Sequence, residues 1–255
     1  MRIRVLGCHG AKLSNHRTCG FLINGSVLLD AGTICSSLTL SEQGKIRYVL
    51  ISHIHADHIK DLTFLSENLI AAKRRRPVVI ISLGKVLAGL QRNLFNNQIW
   101  PDFTKLPNGR NPVFRLKEIR EGETIKINGL EVRAYRVNHI IPCAGFLIRE
   151  KNSSFIYSGD TYRTDRLWEA AAKEARLKAA LIETSFPNAL EGLATVSKHL
   201  TPELLLKEFS KIGKPRLPLY VYHIKPRYLQ RIKRELKQLK IKNLTVLKDG
   251  QRLEF

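Results

Sequence analysis

Residues 53–58 carry three histidines and one aspartate in the spacing His-x-His-x-Asp-His: His53, His55, Asp57 and His58. Neutral imidazole and carboxylate are the donors that zinc, manganese and iron take. The preceding run, IRYVLI at 46–51, is apolar and β-branched between polar flanks and reads as a buried strand. After the cluster, Ile59, Leu62, Thr63, Leu65, Leu69 and Ile70 recur at helical spacing. The cluster therefore belongs on a strand-to-helix turn, where a rigid scaffold holds chemistry. In extended chain, residues two apart share a side, so His53 and His55 can grip one ion. Asp57 and His58 follow as the chain bends, and can face a second ion. A polar turn whose histidines merely cap a helix would need nothing further along the chain. A metal centre requires more ligands downstream.

The chain supplies them. Of its eight histidines, His139 and His223 each follow directly on a predicted strand, and so does Asp160. Asp30 closes an earlier hairpin. It is either a plain turn residue or a carboxylate that holds the ring of a ligating histidine. His9 and His16 are assigned no role.

The remaining elements fall in an interleaved order. Residues 2–6 read as a first strand, and 21–30 as a hairpin turning at Asn24-Gly25-Ser26. A strand at 77–82 and a helix at 86–95 precede a polar loop at 96–111. Segments 113–118, 123–127 and 130–137 read as a meander with Asn128-Gly129 as a turn. Strands follow at 144–149, 154–158 and 179–182, with an alanine-rich helix at 165–176. Thr201 and Pro202 stand as N-cap and first residue of another helix. The chain ends on a strand at 217–222, a basic helix at 226–239 and a strand at 244–247. No repeat, low-complexity segment or linker interrupts it, which predicts one α/β domain over 1–255: two mixed sheets packed together with helices outside.

Composition sets bounds. Over 255 residues, 44% hydrophobic and 25% charged content fits an ordinary globular protein. No apolar run is long enough to span a bilayer and no apolar signal core opens the chain, so a cytoplasmic location without membrane attachment is expected. Cys8, Cys19, Cys35 and Cys143 form no Cys-x-x-Cys pair and read as free thiols acting as small hydrophobes; a ligand role for Cys8 or Cys143 is the lesser reading. The net charge of +21 points either to nucleic acid or another phosphate-rich partner, or to a solvated basic surface. Lys73-Arg74-Arg75-Arg76 is the one dense basic run, and no aromatic residues interleave with it.

The order of His53, His55, Asp57, His58, His139, Asp160 and His223 resembles the metallo-β-lactamase superfamily across nearly the whole chain. WPDFT at 100–104, VNHIIPCAGFLI at 137–148, YSGDT at 157–161, ETSFPN at 183–188, KHLTPELL at 198–205 and YHIKP at 222–226 are similar to class II 3′,5′-cyclic-nucleotide phosphodiesterases and their bacterial relatives. One departure stands beside Asp160: Tyr162-Arg163 occupies the place where that family usually has Gly-Pro.

The resemblance implies an αββα four-layer sandwich with a two-metal site at one edge, and a homodimer. His53, His55 and His139 would hold the first metal, Asp57, His58 and His223 the second, and Asp160 would bridge them. Zinc is the first expectation, with manganese and iron compatible. Two dications can hold a water between them, lower its pKa and direct the hydroxide at phosphorus. Asp57 would orient or deprotonate it, His199 would protonate the leaving oxygen, and Glu183 would orient His199. The expected reaction is hydrolysis of 3′,5′-cyclic nucleotides to 5′-monophosphates. The alternative is a nuclease resembling the tRNA 3′-processing endonucleases, which share a Glu…His-x-Thr arrangement, here Glu183 with His199-Leu200-Thr201. A non-catalytic nucleic-acid-binding protein leaves seven metal-binding positions unexplained. Lactamase or thioesterase activity leaves His199 unexplained.

Overall fold

The computed structural model of the chain describes residues 1–72 and 76–255. Strands β1 (Arg2–Gly7), β2 (Gly20–Ile23), β3 (Val27–Leu29), β4 (Tyr48–Leu50), β5 (Val78–Ser82) and β6 (Phe114–Glu118) form one sheet. Strands β7 (Thr124–Ile127), β8 (Leu130–Val137), β9 (Cys143–Glu150), β10 (Ser153–Tyr157), β11 (Leu177–Glu183), β12 (Leu219–Tyr222) and β13 (Leu244–Val246) form the other. A last strand, β14 (Arg252–Glu254), returns to the first sheet and pairs antiparallel with β1, Arg2 opposite Glu254. The strand orders are β14-β1-β2-β3-β4-β5-β6 and β13-β12-β11-β10-β9-β8-β7. Both sheets are mixed.

The two-residue period of the strands divides the second sheet between two cores. Phe146, Ile148, Phe155 and Tyr157 face the first sheet and join Phe21, Val49, Ile80 and Phe114 in one cluster. Their neighbours Leu147, Ile156, Ala180 and Ile182 face outward. They are covered by helices α5 (Arg166–Lys173), α7 (Pro202–Ser210) and α8 (Leu229–Gln238), through Trp168, Leu205 and Ile232 among others. On the first sheet, α3 (Asp61–Ala71) and α4 (Gly84–Asn93) bury Leu62, Leu65 and Leu90. The layers are helix, sheet, sheet, helix, as expected. Among the described residues no helix is long and apolar enough to cross a membrane.

Both Asn-Gly turns adopt positive φ, Asn24 and Gly25 at 48° and 71°, Asn128 and Gly129 at 47° and 82°. Thr201 caps α7 by accepting from the Leu204 amide at 3.4 Å, with Pro202 as the first helical residue. The meander expected over 113–137 is only half present. β7 and β8 pair antiparallel, but β6 runs parallel to β5 in the other sheet, Val78 opposite Phe114. Alternating polarity fixes which face of a strand is buried; it does not fix which sheet the strand joins. A short helix, α6 (Glu191–Ser197), and β14 were not expected. Of α6 only Ala194 is buried, so it carries little hydrophobic pattern. Of the basic run, Lys73, Arg74 and Arg75 lie outside the described residues. Ile70, placed on the apolar face of α3, is exposed.

Trp168 is the largest fully buried side chain, and its indole N–H donates to Glu208 at 2.8 Å. Trp168→Ala should lower the unfolding free energy by about 3–5 kcal/mol. A urea-denaturation midpoint unchanged from the parent would show that the outer helices do not depend on this core.

Candidate metal centre

Strands β8, β10, β11 and β12 run in the same direction, so their C-terminal ends share one edge of the second sheet. His139 follows β8, Asp160 follows β10, Glu183 ends β11 and His223 follows β12. The 53–58 cluster reaches them from the end of β4 in the first sheet, with Asp57 and His58 on the short helix α2 (Ala56–Ile59). An inter-sheet hydrogen bond beneath the cluster, Ala144 N–H to Ser52 C=O at 2.9 Å, locks the two edges together.

All seven expected ligands come together. One donor atom each from His53, His55, His139 and Asp160 lies within 4.8 Å of the others. His53 Nε2 stands 3.0 Å from His55 Nδ1, which stands 3.3 Å from His139 Nε2. On the other side of Asp160, His223 Nε2 is 3.2 Å from Asp57 Oδ2, and His58 Nε2 is 3.8 Å from the same oxygen. Asp160 Oδ2 is common to both groups, at 3.6 Å from His53, 3.4 Å from His58 and 3.1 Å from His223.

The tautomers test whether metal fits. His58 Nδ1 donates to Asp30 at 2.7 Å and His139 Nδ1 to the Lys198 carbonyl at 3.1 Å. The Ser52 hydroxyl donates to Asp30 at 2.8 Å and so accepts from His53 Nδ1 at 3.0 Å. The Ser185 hydroxyl donates to Glu183 at 3.1 Å and accepts from His223 Nδ1 at 2.8 Å. With Nδ1 so engaged, each of these four rings turns Nε2 inward, towards His55 Nδ1 or the carboxylates of Asp57 and Asp160. His58 Nε2 and Asp160 Oδ1 are buried with no hydrogen-bond partner at all. Buried acceptors facing acceptors are costly, and a cation between them removes the cost. The donors are nitrogen and oxygen, the set that suits zinc, manganese or iron.

Charges follow the same logic. Burial draws the His139 ring down to about 4, which keeps it neutral and able to ligate. Burial also raises Asp57, but His58 and His223 outweigh it and hold the carboxyl below the usual carboxylate range. For His58, burial is overridden by Asp160 and Asp30, which hold a proton on the ring when no cation is near.

Asp30 resolves as the supporting carboxylate rather than a plain turn. It is fully buried, takes the Ser52 amide at 2.7 Å and the Tyr157 hydroxyl at 2.6 Å, and has φ 56°. His223 and Lys198 also adopt left-handed backbone, with φ 65° and 56°. Such non-glycine positions cost about 1–3 kcal/mol each and gather where a site is held in place. Gly159, with φ 63°, could not carry a Cβ, which would lie 2.6 Å from the Ala144 carbonyl oxygen.

His199 and Glu183, predicted to act together, are bonded at 2.7 Å between Nδ1 and Oε1. The His199 ring stacks on His223 at 5.3 Å and meets His139 edge-on at 5.1 Å. Its Nδ1 is 4.0 Å from Asp160, but Glu183 already occupies that nitrogen. Ser52, Ser185 and Cys19 were missed as neighbours of the centre. Cys19 brings its sulfur within 4.8 Å of His58 and His223 donors. Only Ser185 carried a signal, its place in ETSFPN.

A profile of the Beta-lactamase superfamily domain matches residues 26–224. The chain belongs to the beta-lactamase superfamily. Within it, the chain is 26% identical over 223 residues to the 3′,5′-cyclic-nucleotide phosphodiesterase of Aliivibrio fischeri, covering 72% of this chain and 66% of that one. It is 24% identical over 161 residues to the Ribonuclease Z of Archaeoglobus fulgidus, covering 63% of this chain and 46% of that one. The chain thus spans just under two thirds of the first relative and under half of the second. The crystal structure of unliganded yeast PDE1 superposes with a TM-score of 0.84 at 19% identity, over all of this chain and 99% of that one. That likeness shows the metallo-β-lactamase fold.

Asp30→Ala would strand four buried donors: the Ser52 amide and hydroxyl, the Tyr157 hydroxyl and His58 Nδ1. It should cost roughly 3–5 kcal/mol of stability and weaken zinc binding about 10–100-fold. Zinc affinity equal to the parent's, measured by chelator competition, would remove Asp30 from its supporting role.

Proposed function

We propose that this chain is a metal-dependent phosphodiesterase that opens 3′,5′-cyclic nucleotides to 5′-monophosphates. Residues 1–255 would act as one hydrolase domain, since the donors come from both sheets. His53, His55, His139 and Asp160 would hold one divalent ion, and Asp57, His58, His223 and Asp160 a second. Bound dications supply a water activated near neutral pH and offset charge developing on phosphoryl oxygens.

The observation that carries the reading is the His199–Glu183 pair set beside Asp160. A centre that only bound metal would have no use for an acid–base pair at its edge. Glu183 is fully buried and fixed by the Thr161 amide at 3.2 Å and by Ser185. Burial disfavours a charged His199, yet Glu183 outweighs it and raises the ring above its ordinary value. With Nδ1 committed to Glu183, the other nitrogen of His199 is left to give a proton to a departing oxygen. Asp57 remains ionised and can orient the attacking water or take its proton. At the rim, Lys198 and Arg163 lie over the Tyr162 ring at 5.1 and 5.4 Å, and Tyr162 accepts from Thr195 at 3.2 Å. Tyr162-Arg163 therefore adds positive charge and an aromatic face beside the centre, which suits an anionic nucleotide.

A second reading, an RNA 3′-processing nuclease, draws on the +21 charge and on the Ribonuclease Z relatives. The substrate decides between them. Zinc- or manganese-loaded protein should open 3′,5′-cyclic AMP in a chelator-sensitive reaction and leave a tRNA precursor with a 3′ trailer intact. Cleavage of the precursor with the cyclic nucleotide untouched would replace the first reading by the second.

His199→Ala should keep its metal and lose about 10²–10⁴-fold in kcat; unchanged turnover would end its role as acid. Glu183→Gln removes the charge that raises His199. The protonated acid is then lost at lower pH, so the alkaline limb of kcat/KM should move to lower pH. A fall in rate with an unmoved limb would leave Glu183 a packing residue.

A further inference from the structure

Apart from the groups that include ligands of the centre, one more set of metal-binding side chains converges among the described residues. The donor atoms of Cys8, His9 and Asp249 all lie within 4.8 Å of one another. Cys8 ends the first strand's turn, and Asp249 lies in the turn that precedes β14, so the chain's two extremities meet there. The Cys8 thiol donates to Asp249 Oδ1 at 3.4 Å, and His9 Nε2 is 3.7 Å from the same oxygen, too far for a hydrogen bond.

The histidines are what a structural hydrogen-bond network fails to explain. His9 is 7% exposed, and its Nδ1 is buried with no partner. His16 stands edge-on to it, ring centroids 4.5 Å apart, and its Nδ1 is likewise buried and unpartnered. Buried polar side-chain atoms in native proteins nearly always have a partner. The imidazole of His9 beside a buried thiol and a carboxylate forms a donor set of sulfur, nitrogen and oxygen. Cys8, His9 and Asp249 are three ligand types that zinc takes. A thiolate and a carboxylate would balance the charge of a dication.

We propose that Cys8, His9 and Asp249 form an additional structural site for a divalent cation of the zinc class, separate from the centre. Its position gives it a task. The His223 amide donates to the Cys8 carbonyl at 2.7 Å, and Gly10 packs so close that a Cβ there would meet the His223 ring at 2.8 Å. An ion at Cys8 pins the N-terminal turn to the β14 turn and so braces the backbone that presents His223. Binding replaces the thiol proton, which leaves to solvent as the sulfur–metal bond forms.

Cobalt(II) substitution of the full chain tests this. Cobalt bound to a thiolate absorbs in the near ultraviolet by sulfur-to-metal charge transfer, and nitrogen and oxygen donors do not produce that band. The parent saturated with cobalt should show it. Asp160→Ala, which removes the shared carboxylate of the centre, and Cys19→Ser should both retain it. Cys8→Ser should abolish it, and Asp249→Asn should raise the cobalt concentration needed for it at least about tenfold. Zinc content after desalting should fall by about one equivalent per chain in Cys8→Ser. No band in the saturated parent overturns the proposal regardless of how the variants fold. Loss of the band in Cys19→Ser also overturns it, because the sulfur would then belong to the centre.

Discussion

Imidazole nitrogens converging on one buried carboxylate are the constraint on which the rest of this structure depends. Left alone, such a group would spring apart or take up protons. Here four of the five rings are held by their other nitrogen: His58 by Asp30, His53 by Ser52, His139 by the Lys198 carbonyl and His223 by Ser185. Those holders are themselves anchored. Asp30 reaches across from the end of β3 to Tyr157 at the end of β10, so one carboxylate ties both sheets to the same set of ligands. The left-handed backbone at Asp30, Lys198 and His223 is the strain this arrangement stores.

The layered fold makes that strain tolerable. Ligands on loops alone would relax, whereas these follow immediately on β4, β8, β10 and β12, whose side chains are packed on both faces. His199 and Glu183 come from the same edge, bonded to each other beside the donors of the centre. Arg163 and Lys198 place positive charge over the Tyr162 ring, close to Asp160 in the chain, and on that charge the proposed anionic substrate would draw.

The sequence made the centre legible because its chemistry is local. His53, His55, Asp57 and His58 sit within one turn, and His139, Asp160 and His223 each follow a run of strand-like residues. Sheet membership was less legible. The alternation in 114–118 and 124–127 reads the same whether the two strands are neighbours or, as here, lie in different sheets. β14 is three residues long and exists because β1 offers it an edge, a long-range fact with no local signature. The supporting residues were partly hidden for the same reason. Asp30 could be weighed as a second-layer carboxylate, but the hydroxyls of Ser52 and Ser185 acquire meaning only once the rings are in place. Cys8 and His9 are adjacent in sequence but need Asp249, on the far side of the chain, before they form a group.

The most direct measurement is anomalous diffraction at the zinc edge from crystals of the zinc-loaded protein. Two peaks should appear at the centre, one among His53, His55, His139 and Asp160 and the other among Asp57, His58, His223 and Asp160, with His58 Nε2 and Asp160 Oδ1 no longer orphaned. No peak at the centre under saturating zinc, with His58 hydrogen-bonded to Asp160 through a proton, would contradict the assignment of these lone pairs to metal.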